Sequence, residues 1–233
     1  MNRKYFWIAF VLVAIAGCKK DNEKQEYCRV TDLAISATHM YEINYGDNEK
    51  ISSLYNTLTT ELSSYKYKGD TTTITATLNG NFQYRMIVTN NSARFATNVL
   101  IHNNESGTSW YNQKFSYDGN KVMSNKITDS GGDSAFVNYI WENGNPVILV
   151  EEGKAYSYEY YTDKKFQAGD WRDIQQIIGR YRIYEYKNLV KSSEVDGKTT
   201  YFTYNFDEAG RITHSTSTSP SNSTTFKIEY DCD

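Results

Sequence analysis

The sequence is poor in residues that interrupt strands and in residues that build metal or acid–base sites. Its 233 residues include two prolines, three histidines and three cysteines. The histidines His39, His102 and His214 are far apart in the chain, so the sequence predicts neither a metal site nor a catalytic site. The patterns of a phosphate-binding loop, a nucleophile elbow and a Cys/His zinc site are also missing. No cofactor is predicted.

The acidic residues that stand out favour structural roles. Glu151 and Glu152 are adjacent, so on a strand they point to opposite faces and are poorly placed to flank one glycosidic bond. Asp170 and Asp173 suit the N-cap and the first turn of a short helix predicted from Trp171 to Ile178. Hydrolysis is therefore the least favoured of the functions considered.

The chain also lacks an excess of charge of one sign. It has 25 Lys and Arg residues against 28 Asp and Glu, a formal net charge of −3, with the two signs interspersed. Without a basic stripe, nucleic acid is not expected as a partner. The mean hydropathy of −0.66 argues against a membrane segment beyond the start of the chain.

A long apolar run occurs near the start of the sequence, from Phe6 to Ala16, and follows the basic residues Arg3 and Lys4. This arrangement predicts a secretory signal peptide over residues 1–17, because the run is too short to span a bilayer. The segment Val13-Ala14-Ile15-Ala16-Gly17-Cys18 resembles the bacterial lipobox. The resemblance implies that Cys18 is diacylated and becomes the first residue of the mature protein.

The residues after Cys18 divide into a tether and a domain. Residues 18–27 are rich in charge and are expected to form a flexible tether, and residues 28–233 form a single β-repeat domain. Lys20-Asp21 partly resembles the signal that sends lipoproteins of Bacteroidota to the cell surface. An outer-membrane lipoprotein is predicted, on the cell surface or on the periplasmic face.

Tyrosine and β-branched residues dominate the domain, and one hairpin unit shows the pattern most clearly. From Gly197 to Thr218 the chain reads as a strand, a turn at Asp207–Gly210 and a returning strand. Looser copies follow one another from Tyr65, at about 23 residues per step, which is typical of a repeat architecture. Tyr184-Glu185-Tyr186 is interpreted as one of these copies.

Short turns force each strand to pair with its neighbour in sequence. Asn79-Gly80, Asp118-Gly119, Asn143-Gly144 and Asp196-Gly197 favour two-residue hairpin turns. The sequence therefore predicts an all-β fold, an up-and-down antiparallel meander of roughly 14 to 18 strands with one short helix. A sheet of that size must curl into a barrel-like or folded-over shape.

The region from Ile51 to Leu62 has apolar residues at helical spacing, but Ser and Thr fill the positions between them. These linkers are poor helix formers with good strand propensity, so strands are favoured and a helix stays open.

The run Tyr201-Phe202-Thr203-Tyr204-Asn205-Phe206-Asp207, continuing to Gly210-Arg211-Ile212, resembles the tyrosine-aspartate (YD, or RHS-type) repeat. Together with Asn188–Ser192, it is similar to uncharacterised β-repeat lipoproteins of Bacteroidota. The resemblance implies a fold and brings no catalytic residues with it.

Three further site predictions come from residue positions. Cys28 and Cys232 lie at the first and last strands of the domain, and a disulfide between them is expected if the sheet curls until its ends meet. Asp70-Thr71-Thr72 and Asp133-Ser134-Ala135 resemble the O-glycosylation pattern of Bacteroidota, which makes Thr71 and Ser134 acceptor candidates.

The sequence favours a non-catalytic binding lipoprotein, because rings on a sheet surface can stack on sugars or contact a partner protein. The partners expected are the membrane, through the lipid anchor, and a glycan or a protein. The alternatives are a structural or assembly component of the envelope and, least favoured, a hydrolase.

Overall fold

The computed structural model describes residues 28–36 and 38–232. The predicted signal peptide, Cys18 and the tether lie outside these residues. The described part of the chain contains sixteen strands and one helix, α1. Their bounds are β1 Cys28–Ser36, β2 His39–Tyr45, β3 Ile51–Asn56, β4 Glu61–Lys68, β5 Thr71–Leu78, β6 Asn81–Asn90, β7 Ala96–His102, β8 Trp110–Asp118, β9 Lys121–Asp129, β10 Ser134–Glu142, β11 Asn145–Glu151, β12 Lys154–Lys165, α1 Trp171–Gly179, β13 Asn188–Val195, β14 Lys198–Phe206, β15 Ile212–Thr218 and β16 Ser223–Cys232.

Each strand pairs with its neighbours in sequence, and β1 also pairs with β16, which closes the sheet into a barrel. The predicted antiparallel meander with one short helix is confirmed. The region from Ile51 to Leu62 forms β3, a turn and the start of β4, so the favoured strand interpretation is correct. Closure removes the unpaired edges through which a long sheet joins other chains.

Strand direction alternates, so the connections between strands fall into two sets at the two ends of the barrel. One end, called the disulfide end below, carries Cys28, Cys232, α1 and the connections that follow the even-numbered strands. The far end carries the connections that follow the odd-numbered strands. Residue Cys28, where the tether would join the domain, therefore lies at the same end as α1.

The turn dipeptides act mostly as the sequence predicts. Both residues of Asn79-Gly80, Asn143-Gly144 and Asp196-Gly197 have positive φ, as a type I′ turn requires. At Asp118-Gly119 the position differs by one residue. There β8 continues through Asp118, and the turn consists of Gly119 and Asn120.

Along most strands, apolar side chains point into the barrel and polar side chains point out. On β16, Phe226, Ile228 and Tyr230 pack inward, whereas Lys227 and Glu229 are exposed. On β5, threonines fill the outward positions and alternate with buried residues. The strands are therefore amphipathic, with their apolar face toward the interior.

Barrels of sixteen strands are wide enough for an aqueous channel, but side chains fill much of this interior. Two clusters of buried apolar residues lie inside. The first includes Leu33, Ile174, Leu189, Phe202 and Phe226, and the second includes Ile74, Val99, Val122, Tyr184 and Tyr186.

Helix α1 has the capping that the sequence predicts. The Asp170 carboxylate accepts a hydrogen bond from the backbone N–H of Arg172 (2.8 Å), and Asp173 occupies the first turn. Ile174 is completely buried. The helix ends at Gly179, one residue beyond the predicted end, so the prediction of this helix is confirmed.

Gly169, just before the N-cap, must be glycine because the chain runs against β16 there. Its φ is +85°, and a Cβ atom would lie 2.6 Å from the Tyr230 hydroxyl and 2.9 Å from Ile228 Cδ1. This close approach lets the start of α1 pack against the barrel wall.

The interpretation of Tyr184-Glu185-Tyr186 as a strand copy is wrong. Residues 180–187, called the inner strap below, form no strand and run through the interior after α1. The strap is held by single hydrogen bonds to separate elements, such as Ala96 N to Arg182 O (2.8 Å) and Lys187 N to Gly144 O (3.0 Å). Tyr184 and Tyr186 are buried in the second cluster, and this burial takes the place of strand pairing.

Cys28 and Cys232 are direct partners in the pairing of β1 with β16. Their sulfurs are bonded, and their Cα atoms are 4.2 Å apart. The bond lies at the point where the first and last strands of the barrel meet, so it reinforces closure at the disulfide end.

Candidate functional site

A pocket of about 470 Å³ opens at the disulfide end. Its volume falls in the range of small-molecule sites. Three connections, those after β2, β4 and β6, form one side, and α1 with the inner strap forms the other. The lining residues are Glu49, Lys50, Ile51, Tyr65, Tyr67, Gly69, Asp70, Thr72, Val88, Asn90, Asn91, Arg94, Gln176, Ile177, Arg180, Tyr181 and Arg182.

The connection after β6 forms one rim of the pocket, and the side chain of Asn91 holds its shape. The Asn91 carboxamide oxygen accepts from the N–H groups of Ala93 and Phe95, each at 3.0 Å. Phe95 is buried and anchors the loop, while Arg94 has a φ of +65° and an exposed side chain. Asn90 joins this loop to the neighbouring connection, the one after β4. Its backbone N–H and its side-chain amide both donate to the carbonyl of Asp70.

The wall is aromatic. Tyr65 and Tyr67 are two apart on β4 and therefore face the same side, with ring centroids 6.5 Å apart and ring planes within 20°. The Tyr67 hydroxyl donates to Ile51 O (2.8 Å), and burial raises the pKa of Tyr67 to about 12. The Tyr65 hydroxyl is buried without a hydrogen-bond partner among the described residues.

The floor is fixed by Arg180, which is the left-handed residue after α1. Its guanidinium forms an ion pair with Glu61 and donates from Nε to Ser63 Oγ (2.7 Å). Both partners are on β4, so the end of the helix is joined to the strand that carries the aromatic wall.

Arg182 is held in a similar way. It contacts the buried Asp173 carboxylate at 2.7 Å and the Glu185 carboxylate at 3.1 Å. Burial raises the pKa of Asp173, and the adjacent Arg182 charge opposes the rise.

The charges that remain in the pocket nearly cancel. Arg180 and Arg182 are neutralised by carboxylates, which leaves Lys50 and Arg94 against Glu49 and Asp70. Lys50 Nζ lies 4.8 Å from the centroid of the Tyr67 ring. The pocket therefore offers aromatic faces and planar hydrogen-bonding groups with little net charge.

Asp170, which is buried at the start of α1, has a structural role. It accepts hydrogen bonds from the hydroxyls of Tyr186 and Tyr204, the latter at 2.8 Å, and from the N–H groups of Arg172 and Val190. Burial raises its pKa, and these hydrogen bonds oppose the rise. Its acceptor positions are occupied, so the carboxylate has no room for a substrate.

The predicted modification sites are separated by the fold. Thr71 begins β5 at the disulfide end and hydrogen-bonds to the Asp70 carboxylate (3.2 Å), whereas Ser134 begins β10 at the far end and is exposed. Their glycosylation stays a prediction. Cys18 lies outside the described residues, so its lipidation also stays a prediction.

The isolated histidines and acidic residues do not assemble into a metal site. His39, His102 and His214 lie on β2, β7 and β15. No group of three or more His, Cys, Asp or Glu side chains in the described part of the chain is placed to hold a metal ion. In the same residues, no helix is long and apolar enough to cross a membrane.

Sequence reasoning did not identify Tyr65, Tyr67, Arg94 and Arg182 as members of one site. For Tyr65 and Tyr67 the sequence does contain a signal of a site, because two aromatic residues on the same face of a strand come just before a Gly-Asp turn. Arg94 and Arg182 have no such signal in the sequence, because Arg94 is brought near β4 by the pairing of β4 to β6 and Arg182 by the packing of the inner strap.

The comparisons with known proteins identify the class of fold. The barrel resembles the crystal structure of a porin-like protein from Bacteroides uniformis, with a TM-score of 0.59, 13% identity, and coverage of 88% of this chain and 95% of that one. It also resembles a porin-like protein from Bacteroides vulgatus, with a TM-score of 0.56, 11% identity, and coverage of 87% and 98%. At these identities the likeness shows a shared fold. No family model and no curated protein matches the sequence.

Proposed function

We propose that the protein is a non-catalytic lipoprotein of the outer membrane that binds a neutral glycan in the pocket at the disulfide end. The observation that carries the proposal is the pocket itself, an open site with an aromatic wall and balanced charge.

The lining chemistry supports a sugar over other small molecules. The faces of Tyr65 and Tyr67 offer apolar surface to the C–H face of a pyranose ring. Asn90, Gln176 and Arg94 are planar donors or acceptors suited to hydroxyl groups. A volume of about 470 Å³ accepts one to a few sugar units.

The barrel wall supports attachment by a lipid rather than by insertion. Barrels that span outer membranes carry an outward apolar band and a polar interior. Here Lys227 and Glu229 face outward while Phe226 and Ile228 face inward, and outward threonines continue the pattern on β5. We infer that water surrounds the wall and that Cys18 provides the membrane contact, on the cell surface or on the periplasmic face.

The proposal predicts that Tyr67→Ala weakens glycan binding about tenfold, the loss expected for one aromatic contact. Isothermal titration of the purified protein with a panel of neutral host and dietary oligosaccharides would measure the effect. Tyr201→Ala is the matched control, because Tyr201 is exposed on the outer face of β14.

Two results would contradict the glycan proposal. One is that no member of the panel binds to the unaltered protein. The other is that binding persists unchanged in Tyr67→Ala and in Arg94→Ala, which would place the sugar elsewhere.

A second candidate function, a component of an envelope assembly, is favoured by one surface. Met123, Phe136 and Ile140 point outward from β9 and β10, and Phe136 is 51% exposed. Exposed apolar patches on barrel walls often contact other proteins. Recovery of a stoichiometric envelope partner that Ile140→Asp releases, together with failure to bind glycans, would favour this candidate.

A further inference from the structure

Arg172 is a buried cation that forms an ion pair with none of the carboxylates in the described part of the chain. It occupies the second position of α1, and its Nε and Nη2 atoms are buried with no hydrogen-bond partner in the described residues. The rest of the side chain keeps some accessible surface. The guanidinium lies over the Tyr158 ring, with Cζ 4.0 Å from the ring centroid, and Cζ is 5.8 Å from the Tyr184 centroid.

This placement is costly in three respects. A buried guanidinium loses its hydration, and an unpaired buried charge is among the least favourable arrangements in a protein. The first turn of a helix also disfavours a positive charge. Cation–π contacts offset only part of this cost, so a negative partner would stabilise the buried guanidinium.

The surroundings of Arg172 offer hydrogen-bond donors of their own. The Tyr158 and Tyr184 rings lie against the guanidinium. The Tyr139 ring packs edge to face on Tyr184, with the ring centroids 6.2 Å apart, and is close enough to interact electrostatically with Arg172. The hydroxyls of Tyr139, Tyr158 and Tyr184 form no hydrogen bond with any described residue, and each of these oxygens keeps some accessible surface. A cation and three free hydroxyls therefore lie together inside the barrel wall.

We propose that this interior site binds the carboxylate of a small monocarboxylic acid, with Arg172 as the counter-charge and the tyrosine hydroxyls as donors to the oxygens. One negative charge matches one guanidinium, whereas a phosphate dianion would leave an uncompensated charge in the interior. A planar carboxylate also suits a guanidinium that has a tyrosine ring against its face. The site is separate from the pocket at the disulfide end, since Arg172 does not line that pocket.

Acetate is a suitable probe. Equilibrium dialysis of the full mature protein with radiolabelled acetate should show saturable uptake of one molecule per chain. Acetate at ten times its Kd should raise the Tm by roughly 3 to 6 °C relative to chloride at equal ionic strength. Arg172→Met, which keeps the length of the side chain, should abolish both effects and should not lower the Tm of the protein without acetate.

Tyr158→Phe provides a second variant, because it keeps the ring that stacks on Arg172 and removes only the hydroxyl. It should weaken acetate uptake about tenfold, whereas Tyr201→Phe on the outer wall should leave it unchanged. Absence of saturable uptake in the unaltered protein, equal uptake by Arg172→Met, or equal displacement by chloride, which would mean an adventitious ion only, would each overturn the proposal.

Discussion

Replacing Asp170 with alanine is expected to lower the free energy of unfolding by roughly 3 to 5 kcal/mol, the cost of breaking a buried, fully bonded charged group. The carboxylate accepts from two tyrosine hydroxyls and two backbone N–H groups, and its residue is completely buried. Alanine would leave these donors unpaired in the interior and would remove the N-cap of α1. Thermal unfolding monitored by circular dichroism should show the Tm falling by about 10 °C or more.

Asp163→Ala is the matched control, because Asp163 is an exposed carboxylate on β12, shortly before the same helix. Its Tm should stay within about 2 °C of the unaltered protein, as is usual for surface substitutions. If Asp170→Ala melted as close to the unaltered protein as this control, the network around the N-cap would not be a principal support of the interior.

A second large effect is expected at alkaline pH. Burial raises the pKa of Tyr84 and of Tyr67 to about 12. The pKa values of further interior tyrosines are raised for the same reason. These tyrosines include Tyr65, Tyr117, Tyr139, Tyr160, Tyr186, Tyr204 and Tyr230.

The direction of the pH effect on the free energy of unfolding depends on whether the folded or the unfolded state keeps the tyrosine protons at a given pH. Below about pH 10 these tyrosines are neutral in both states and the stabilisation is fully present. Above pH 10 they ionise in the unfolded chain and stay neutral in the folded one, so the free energy of unfolding falls as the pH rises toward 12. Each fully buried tyrosine contributes up to about 1.4 kcal/mol per pH unit, and the partly exposed Tyr67 contributes less. Several together match the whole stability of an ordinary domain.

The barrel should therefore unfold cooperatively between about pH 10 and 12. The tyrosinate absorbance at 295 nm and the far-UV circular dichroism should change together. The contrary result would be smooth titration of nearly all tyrosines near pH 10 with the circular dichroism unchanged, which would mean that their hydroxyls are in water.

Much of the fold follows from local sequence. Alternation of tyrosine and threonine predicts strands, Asn-Gly and Asp-Gly pairs set most of the turns, and the stripe on Trp171–Ile178 predicts α1 within one residue. These signals are local because strand faces, type I′ turns and helix stripes depend on residues a few positions apart.

The inner strap and the pocket do not follow from local sequence. Tyr184 and Tyr186 have the spacing of a strand, but burial against α1 and the second cluster replaces strand pairing. The pocket joins Tyr67 on β4, Arg94 in the connection after β6 and Arg182 in the inner strap. These residues are far apart in the sequence, and strand pairing from β4 to β6 and the packing of the inner strap bring them together.

We propose that a water-facing barrel is held at the membrane by a lipid on Cys18. Cell fractionation of the unaltered protein and of Cys18→Ala tests it most directly. The unaltered protein should sediment with membranes, and Cys18→Ala should be released as a soluble protein that stays monodisperse without detergent. Retention of Cys18→Ala in the membrane fraction after a high-salt wash, with detergent needed to extract it, would contradict the claim and would mean that the wall itself contacts lipid.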